Sequence, residues 1–429
     1  VPEFVNLAEW LAYQERIHPQ PIALGLERIA EVKSRIHGNT PPPFSVITVT
    51  GTNGKGSCVA LLEAILHNSG YRVGVYTSPH LLRYNERIRI QRREVSDAEL
   101  CIAFSRIETA RGTIPLTYFE YGTLAALDLF YQSNLNWVIL EVGLGGRLDA
   151  TNILDPDVSI VTTVDLDHLD WLGPDRESIG REKAGIFRSG RPAICGDSHP
   201  PESLIARAHA LNAPLYIQSR DFGWRTSNSS EWEWWSNDFT QRGLPIPRMR
   251  GVHQYHNAAT VLMALSCIAN RTIILSPIIH HALITVELPG RFQILPGAVP
   301  VILDVAHNPQ AAISLAGNLD AIPSLGKTHA VIAMLADKDI TGVVAALRGR
   351  IDTWYLAPIS GARGAPAERI AESLDQIKDI APRVIYSDIT TALASAYNSV
   401  IPSDRIVVFG SFHTVAAAIR YHERTTSVG

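Results

Sequence analysis

The stretch Thr50-Gly51-Thr52-Asn53-Gly54-Lys55-Gly56-Ser57 constrains this chain more than any other. It follows a β-branched run, Ser45–Thr50, and precedes an apolar stretch with helical spacing over 57–68, closed by Gly70. Glycines between a strand and a helix let the backbone fold around an anion. The loop N–H groups then point inward, and the helix N-terminus adds partial positive charge. Lys55 is placed to reach the β- and γ-phosphates of a nucleotide. The spacing departs from GxxxxGK[ST], because Val49 holds the first glycine position and Gly56 stands between the lysine and Ser57. A tight turn with no ligand is the competing reading. Strand, glycines, lysine and helix together favour phosphate binding.

The rest of the chain sets this loop in a repeating frame. Helical spacing over 4–16 and 24–36 ends at Pro41-Pro42-Pro43. Strand-like runs at Tyr71–Tyr76, Trp137–Val142 and Val158–Val164 then alternate with helical patterns over 97–110 and 119–131. This is the pattern of a parallel α/β sheet covered on both faces. Residues 220–250 break it, with Trp224, Trp232, Trp234 and Trp235 in a polar, Ser/Asn-rich stretch. A β-hairpin packing its aromatics is favoured there over a ligand-stacking surface. From about residue 290 the rhythm returns, with strands expected at Val299–Leu303, Ala330–Leu335, Thr353–Ala357, Val384–Tyr386 and Ile406–Phe409. A second, smaller doubly wound α/β domain follows, and the boundaries expected are 1–288 and 289–429.

Composition removes whole classes of function. The 429 residues are 46% hydrophobic and 19% charged with a net charge of −4, which excludes a disordered chain and offers no basic patch for nucleic acid. No apolar run approaches the roughly 18 residues that cross a bilayer, so no membrane association is expected. Val1-Pro2-Glu3-Phe4 shows no basic segment leading into an apolar one, and Cys58, Cys101, Cys195 and Cys267 are scattered without a CxxC or Cys/His pairing. A cytoplasmic protein without disulfide or zinc is expected. No heptad seam is present, and the expected state is a monomer.

Chemistry in α/β proteins gathers just past strand C-termini. Three such points share an edge with the phosphate loop, since parallel strands share a direction. They are Ser78-Pro79-His80, then Glu141 with the glycine-rich run Gly143–Asp149, and the group Asp165, Asp167, His168 and Asp170. Mg²⁺ takes oxygen ligands, which makes Ser78 and Glu141 candidates and His168 a less usual one. Singly, Ser78 reads as a turn cap, Glu141 as a partner for Arg147 and His168 as a satisfied loop histidine. Their shared place beside the phosphate loop favours the metal reading. Lys183, in Arg181-Glu182-Lys183, reads from charge alone as a solvated surface lysine, and Asn257 as a helix cap. In the second half Asp304 and His307 stand at a strand tip as catalytic candidates, while Asn308 reads as the cap of a helix opened by Pro309.

These residues resemble the folylpolyglutamate synthase/dihydrofolate synthase family of the Mur ligase superfamily of ATP-dependent amide ligases. The resemblance rests on Gly51–Ser57 (GTNGKGS), Ser78–Leu81 (SPHL), Glu141–Asn152 (EVGLGGRLDATN), Asp167–Gly173 (DHLDWLG) and Arg181–Phe187 (REKAGIF). It continues through Leu288–Phe292 (LPGRF), Asp304–Pro309 (DVAHNP) and Phe409–Val415 (FGSFHTV), in order across the chain. The peptidoglycan-building relatives carry a further domain before their nucleotide loop and a Thr directly after its lysine. Here the loop begins at residue 51, and Gly56-Ser57 follows Lys55. Ile22–Arg28 and Thr117–Glu120 look like pterin-holding segments of the bifunctional members.

The resemblance implies a P-loop Mur-ligase-like ATPase domain with a mostly parallel sheet, followed by a Rossmann-like domain. It implies ATP on Gly51, Thr52, Asn53, Gly54, Lys55, Gly56, Ser57, Asn257, Arg291 and Asp304. One Mg²⁺ would sit on Ser78, Glu141 and His168, and a second on Lys183 after CO₂ has converted it to a carbamate. Leu24, Gly25, Thr117, Phe119, Leu148 and Asp149 would line the pterin site. His307 and Ser411 would meet the incoming L-glutamate, with Lys183, Asp304 and His307 as catalytic residues. ATP would phosphorylate the carboxylate of dihydropteroate or a folate, and the glutamate amine would displace phosphate. Domain closure would exclude water from the acyl phosphate. The alternatives are a single-activity folylpolyglutamate synthase, another amino-acid ligase of the superfamily, or a nucleotide-sensing protein without catalysis. Retention of Lys55, Glu141, Lys183 and Asp304 weighs against the last.

Overall fold

The computed structural model describes residues 4, 6–20, 22–270, 272–322, 324 and 326–426, so Val1, Pro2 and Glu3, used above to expect no leader, lie outside the described residues. Two units result, Val1–Pro247 with Tyr255–Val286, and Arg248–Gln254 with Glu287–Gly429. The chain passes from the first unit to the second after Val286, and the seven residues Arg248–Gln254 group with the second unit.

The first unit is built on β1 (Ser45–Thr50), β2 (Val73–Tyr76), β3 (Ile88–Ile90), β4 (Arg93–Glu94), β5 (Trp137–Glu141), β6 (Val158–Val161), β7 (Ala193–Cys195) and β8 (Leu215–Ile217). Their order is β4-β3-β2-β5-β1-β6-β7-β8. All pairings among β2, β5, β1, β6, β7 and β8 are parallel, and β3 and β4 add an antiparallel edge. β1 is flanked on both sides, and its Val46, Ile47 and Val49 are fully buried, which is why this strand reads as a continuous β-branched run.

The helices are α1 (Leu7–Ile17), α2 (Glu27–His37), α3 (Lys55–Asn68), α4 (Asp97–Arg111), α5 (Tyr118–Tyr131), α6 (Leu169–Leu172), α7 (Arg176–Lys183), α8 (Glu202–Ala210), α9 (Val252–Cys267) and α10 (Ser276–Thr285). Every residue of α3 from Ser57 to Leu66 is buried, as its nearly unbroken apolar sequence demands. Reciprocal capping boxes start α4 (Ser96 with Glu99) and α5 (Thr117 with Glu120).

The tryptophan-rich stretch is an antiparallel sheet of β9 (Phe222–Thr226), β10 (Glu231–Ser236) and β11 (Thr240–Pro245), one strand more than the hairpin expected. Trp232 and Trp234 are buried, and their indole N–H groups donate to the Pro245 carbonyl at 2.8 Å and the Ala259 carbonyl at 3.2 Å. Trp224 stacks on Tyr255 with ring centroids 4.7 Å apart. The aromatics therefore pack on their own unit.

The second unit holds β12 (Gln293–Leu295), β13 (Val301–Leu303), β14 (Thr328–Ile332), β15 (Thr353–Leu356), β16 (Arg383–Ile385) and β17 (Arg405–Phe409) in the order β12-β13-β17-β14-β15-β16. Only β12 is antiparallel. Helices α11 (Pro309–Ala321), α12 (Ile340–Ala346), α13 (Ala367–Gln376), α14 (Ile389–Ser399) and α15 (Phe412–Thr426) connect and follow these strands. Trp354 and Phe409 are fully buried within its core. No helix among the described residues is long and apolar enough to cross a membrane.

Candidate active site

β1, β2, β5 and β6 run the same way, so the loop Gly51–Gly54, Ser78, Glu141 and Asp165–His168 leave one sheet edge together. The loop is clamped to the exit of β6. Thr52 N–H donates to the Thr163 carbonyl at 2.8 Å, and Asn53 N–H to Thr163 Oγ1 at 3.0 Å. Thr52 Oγ1 donates to the Asp165 carbonyl at 3.0 Å. Gly54 takes φ +89°, and a Cβ there would stand 2.5 Å from Asn257 Oδ1. Both facts require glycine. Asn257 lies inside α9, so the expectation that it caps a helix is corrected. Lys55 Nζ donates to the carbonyls of Gly51 and Thr52 at 2.8 and 3.2 Å, which folds the ammonium back over the loop.

Ser78 N–H donates to Glu141 Oε2 at 3.3 Å, which sets the serine beside the buried carboxylate. Arg147 does not pair with Glu141 as the sequence allowed. It binds Glu182 at 2.8 Å, and its N–H donates to the Glu182 carbonyl. His168 takes a left-handed φ of 53° at the start of α6, with Nε2 3.9 Å from Asp167 Oδ1. A serine oxygen and a carboxylate suit Mg²⁺, with imidazole a less usual ligand. Among the described residues no group of three or more His, Cys, Asp and Glu is arranged to hold a metal ion. An ion here would fill its shell with phosphate oxygens and water, as Mg²⁺ ordinarily does.

Lys183 departs most from its sequence reading. It ends α7 and is buried, 3% exposed, not solvated. Burial, and then the charge of Lys55, lower its amine to about 7, with Asp167 pulling the other way. Lys183, Lys55 and Asp167 thus share one electrostatic neighbourhood at the loop edge.

The residues expected around a pterin divide between two contacts. Gly25 N–H donates to the Leu148 carbonyl at 3.2 Å, which joins the segment before α2 to the loop after β5. Phe119 lies against Gly143 in the same loop, with its ring 5.9 Å from that of Tyr76. Asp149 is buried and accepts the N–H groups of Gly143, Leu144 and Thr151 at 3.1, 2.9 and 3.0 Å. Thr117 caps α5. Sequence reasoning missed Arg87, a buried guanidinium over the Tyr84 and Tyr118 rings whose Nε donates to His80 Nδ1 at 2.9 Å. Nothing in its local sequence announces that burial.

In the second unit β13 and β17 are adjacent and parallel, which brings Asp304, His307 and Ser411 to one edge. Asp304 accepts N–H bonds from Phe292 at 2.9 Å and Ala306 at 2.8 Å. Burial raises its carboxyl to about 6, opposed by Arg291 and these bonds. The Arg291 guanidinium lies over the Phe412 ring at 5.4 Å. His307 Nδ1 donates to the Val305 carbonyl at 2.7 Å. Asn308 caps α11 as expected, accepting the Ala311 N–H at 2.9 Å.

The first unit thus carries a glycine-rich loop at the exit of its parallel strands, and the second an acid and a histidine at a strand tip of its own. Residues 49–213 match the family model of the Mur ligase middle domain, and residues 290–412 match that of the Mur ligase, glutamate ligase domain. The dihydrofolate synthase/folylpolyglutamate synthase of Escherichia coli K12 is 47% identical over 99% of this chain and 97% of its own. The structure of E. coli FolC in complex with DHPP and ADP, 45% identical, superposes with a TM-score of 0.93 over 99% of this chain and 100% of that one. A bifunctional folylpolyglutamate synthase/dihydrofolate synthase with Mn, AMPPNP and L-glutamate bound gives 46% identity and a TM-score of 0.90 over 98% and 99%. The chain belongs to the dihydrofolate synthase/folylpolyglutamate synthase family.

Proposed function

We propose that this chain joins L-glutamate to dihydropteroate and to tetrahydrofolate through an acyl phosphate, releasing ADP and phosphate. One observation carries the reading. The glycine loop with Lys55, the Ser78–Glu141 pair and the buried Lys183 beside Asp167 converge on one edge of the first unit.

A carboxylate is a poor acyl donor because oxide would have to leave; phosphorylation replaces that leaving group with phosphate. The transfer needs positioning and charge neutralisation more than covalent help. Lys55 supplies a cation to the β/γ-phosphates, and the loop N–H groups hold the chain of phosphates. Ser78 and Glu141, with His168, would hold one Mg²⁺, which neutralises charge on the transferred phosphoryl group. Leu24, Gly25, Thr117, Phe119, Leu148 and Asp149 would receive the pterin, with Asp149 ordering the loop on which it sits.

Lys183 as an ammonium cannot ligate a metal. With its amine lowered to about 7, a large share is neutral at physiological pH, the form that attacks CO₂. A carbamate would replace a repelled cation beside Lys55 with an anion and give a second Mg²⁺ two oxygens. In the second unit, Asp304 and Arg291 would complete nucleotide binding. His307 would orient or deprotonate the glutamate amine. We take the working form to be a cytoplasmic monomer, in keeping with four free cysteines, two of them buried.

Incubation with ATP, Mg²⁺, L-glutamate and either dihydropteroate or tetrahydrofolate tests the reaction. ADP and a product heavier by one glutamyl residue are expected from both acceptors. Product from neither overturns the reading, and product from tetrahydrofolate alone reduces it to a single activity. A ¹³C-carbamate signal from labelled bicarbonate, absent in Lys183→Arg, tests the lysine chemistry.

A further inference from the structure

L-Glutamate would bring two carboxylates to the second unit, and each needs hydrogen-bond donors. Ser411 has no hydrogen to offer them. Its oxygen accepts the Thr414 N–H at 3.0 Å, while Thr414 Oγ1 gives its own hydrogen to the Ala333 carbonyl at 2.7 Å. The 2.7 Å contact between the two hydroxyls therefore uses the single hydrogen of Ser411. Ser411 is the cap of α15. The donors have to come from elsewhere on the same edge.

β13, β17, β14 and β15 are parallel neighbours in that order, so their exits lie side by side. The exit of β15 carries Arg363, and its loop is fastened to the exit of β14. Ala336 N–H donates to the Arg363 carbonyl, and Ala365 N–H to the Met334 carbonyl, both at 2.9 Å. Leu335 and Gly364 form a β-bridge between them. A short run of backbone, Ala333–Ala336, thus connects the Ser411 cap to Arg363. The backbone of Arg363 is fixed, yet its side chain is 69% exposed and makes no hydrogen bond among the described residues. Its nearest carboxylate is Asp337 at 3.9 Å, and its charge reaches His413 in the first turn of α15. A planar fork of five donors, held at its root and open at its tip, suits a carboxylate.

Position decides which carboxylate. On the ligase reading the amine would meet His307 after β13, and β15 lies three strands away, roughly 14 Å at the usual spacing. The α-carboxylate shares a carbon with the amine and stays near His307. Only the side-chain carboxylate extends toward β15, and an extended arginine covers much of what remains. We infer that Arg363 binds the side-chain carboxylate of the incoming L-glutamate and so sets the preference for glutamate over neutral amino acids. This rests on the ligase reading above.

Steady-state assays of the full-length enzyme, with ATP, Mg²⁺ and dihydropteroate, compare L-glutamate with L-glutamine for wild type, Arg363→Gln and Arg363→Lys. Arg363→Gln should raise KM for L-glutamate about ten- to hundredfold, the range for a charge-assisted bond. KM for L-glutamine and for ATP should not move, and Arg363→Lys should recover part of the preference. A folded Arg363→Gln with unchanged glutamate KM overturns the assignment, as does an equal loss for both amino acids. Wild type that makes no amide from L-glutamate overturns the ligase reading itself.

Discussion

The buried amine of Lys183 lies within the field of Lys55, and the two positive charges oppose one another at the edge that would hold the nucleotide. Lys183 is buried at the end of α7, so the unfavourable charge is held there at a cost to the fold.

That cost has a defined pH window. The lysine titrates near 10.5 when unfolded and about 7 in the native state. Between those values the unfolded chain binds the extra proton, so this contribution raises stability as pH rises and is most unfavourable below 7. Replacing Lys183 with Met should stabilise the protein more at pH 6.5 than at pH 9.5, by roughly 3 kcal/mol at 1.36 kcal/mol per unit. Urea unfolding in CO₂-free buffer measures it. An equal gain at both pH values would show that the burial cost is absent.

Gly54→Ala tests the loop geometry. A Cβ at φ +89° costs about 1–2 kcal/mol in backbone strain. It also meets Asn257 Oδ1 at 2.5 Å, so the loop or the asparagine must shift. Calorimetric titration with ADP should show binding weakened at least tenfold, while the thermal midpoint falls by only a few degrees. Undiminished binding would mean that the loop does not grip phosphate.

Asp304 sets an acid limit. Its carboxyl is raised to about 6, so the folded protein holds this proton between 3.8 and 6 and loses the anion as pH falls through 6. The same shift makes its contribution to stability decline as pH rises through that window and stay flat above it. For the wild type, kcat/KM for ATP should drop below pH 6. Asp304→Asn should be slow throughout, with no limb there. A limb that persists in Asp304→Asn would assign the titration to another group.

What the sequence made legible was whatever depends on local pattern. β1, the glycine loop and α3 were readable because a β-branched run, the four loop residues Gly51–Gly54 and an apolar stretch occur in immediate succession. The antiparallel β3 and β4, the three-residue β7 and β8, and β12 escaped notice because so few residues carry no measurable period. Lys183 escaped for a different reason. α7 is Arg-Glu-Ser-Ile-Gly-Arg-Glu-Lys, and only Ile179, Gly180 and Lys183 of it are buried. Which of its charged residues turns inward is decided by the elements packed against it, α8 foremost, and not by its own local sequence. Ser411 shows the reverse case, since a residue selected by resemblance proves to cap α15 with its oxygen and to give its hydrogen to Thr414 Oγ1.

The Phe119–Gly143 contact offers a selective test of the pterin assignment. Gly143 has no positive φ, so alanine there meets no backbone strain, only space. That space is filled, because a Cβ would stand 2.7 Å from the Phe119 ring. The ring must tilt or withdraw, and it is one of the residues proposed around the pterin. The phosphate loop follows β1, and among the described residues it makes no hydrogen bond to Phe119 or Gly143, its link to that glycine-rich run being Thr50 Oγ1 to the Gly145 carbonyl at 2.6 Å. Gly143→Ala should therefore raise KM for dihydropteroate about tenfold, the effect of losing one aromatic contact. ADP affinity should stay within twofold. Initial-rate kinetics at saturating ATP and L-glutamate measure the first, and calorimetric titration the second. Equal losses in both would mean that the glycine-rich loop acts on the site as one rigid piece, and the pterin would then have to be placed elsewhere.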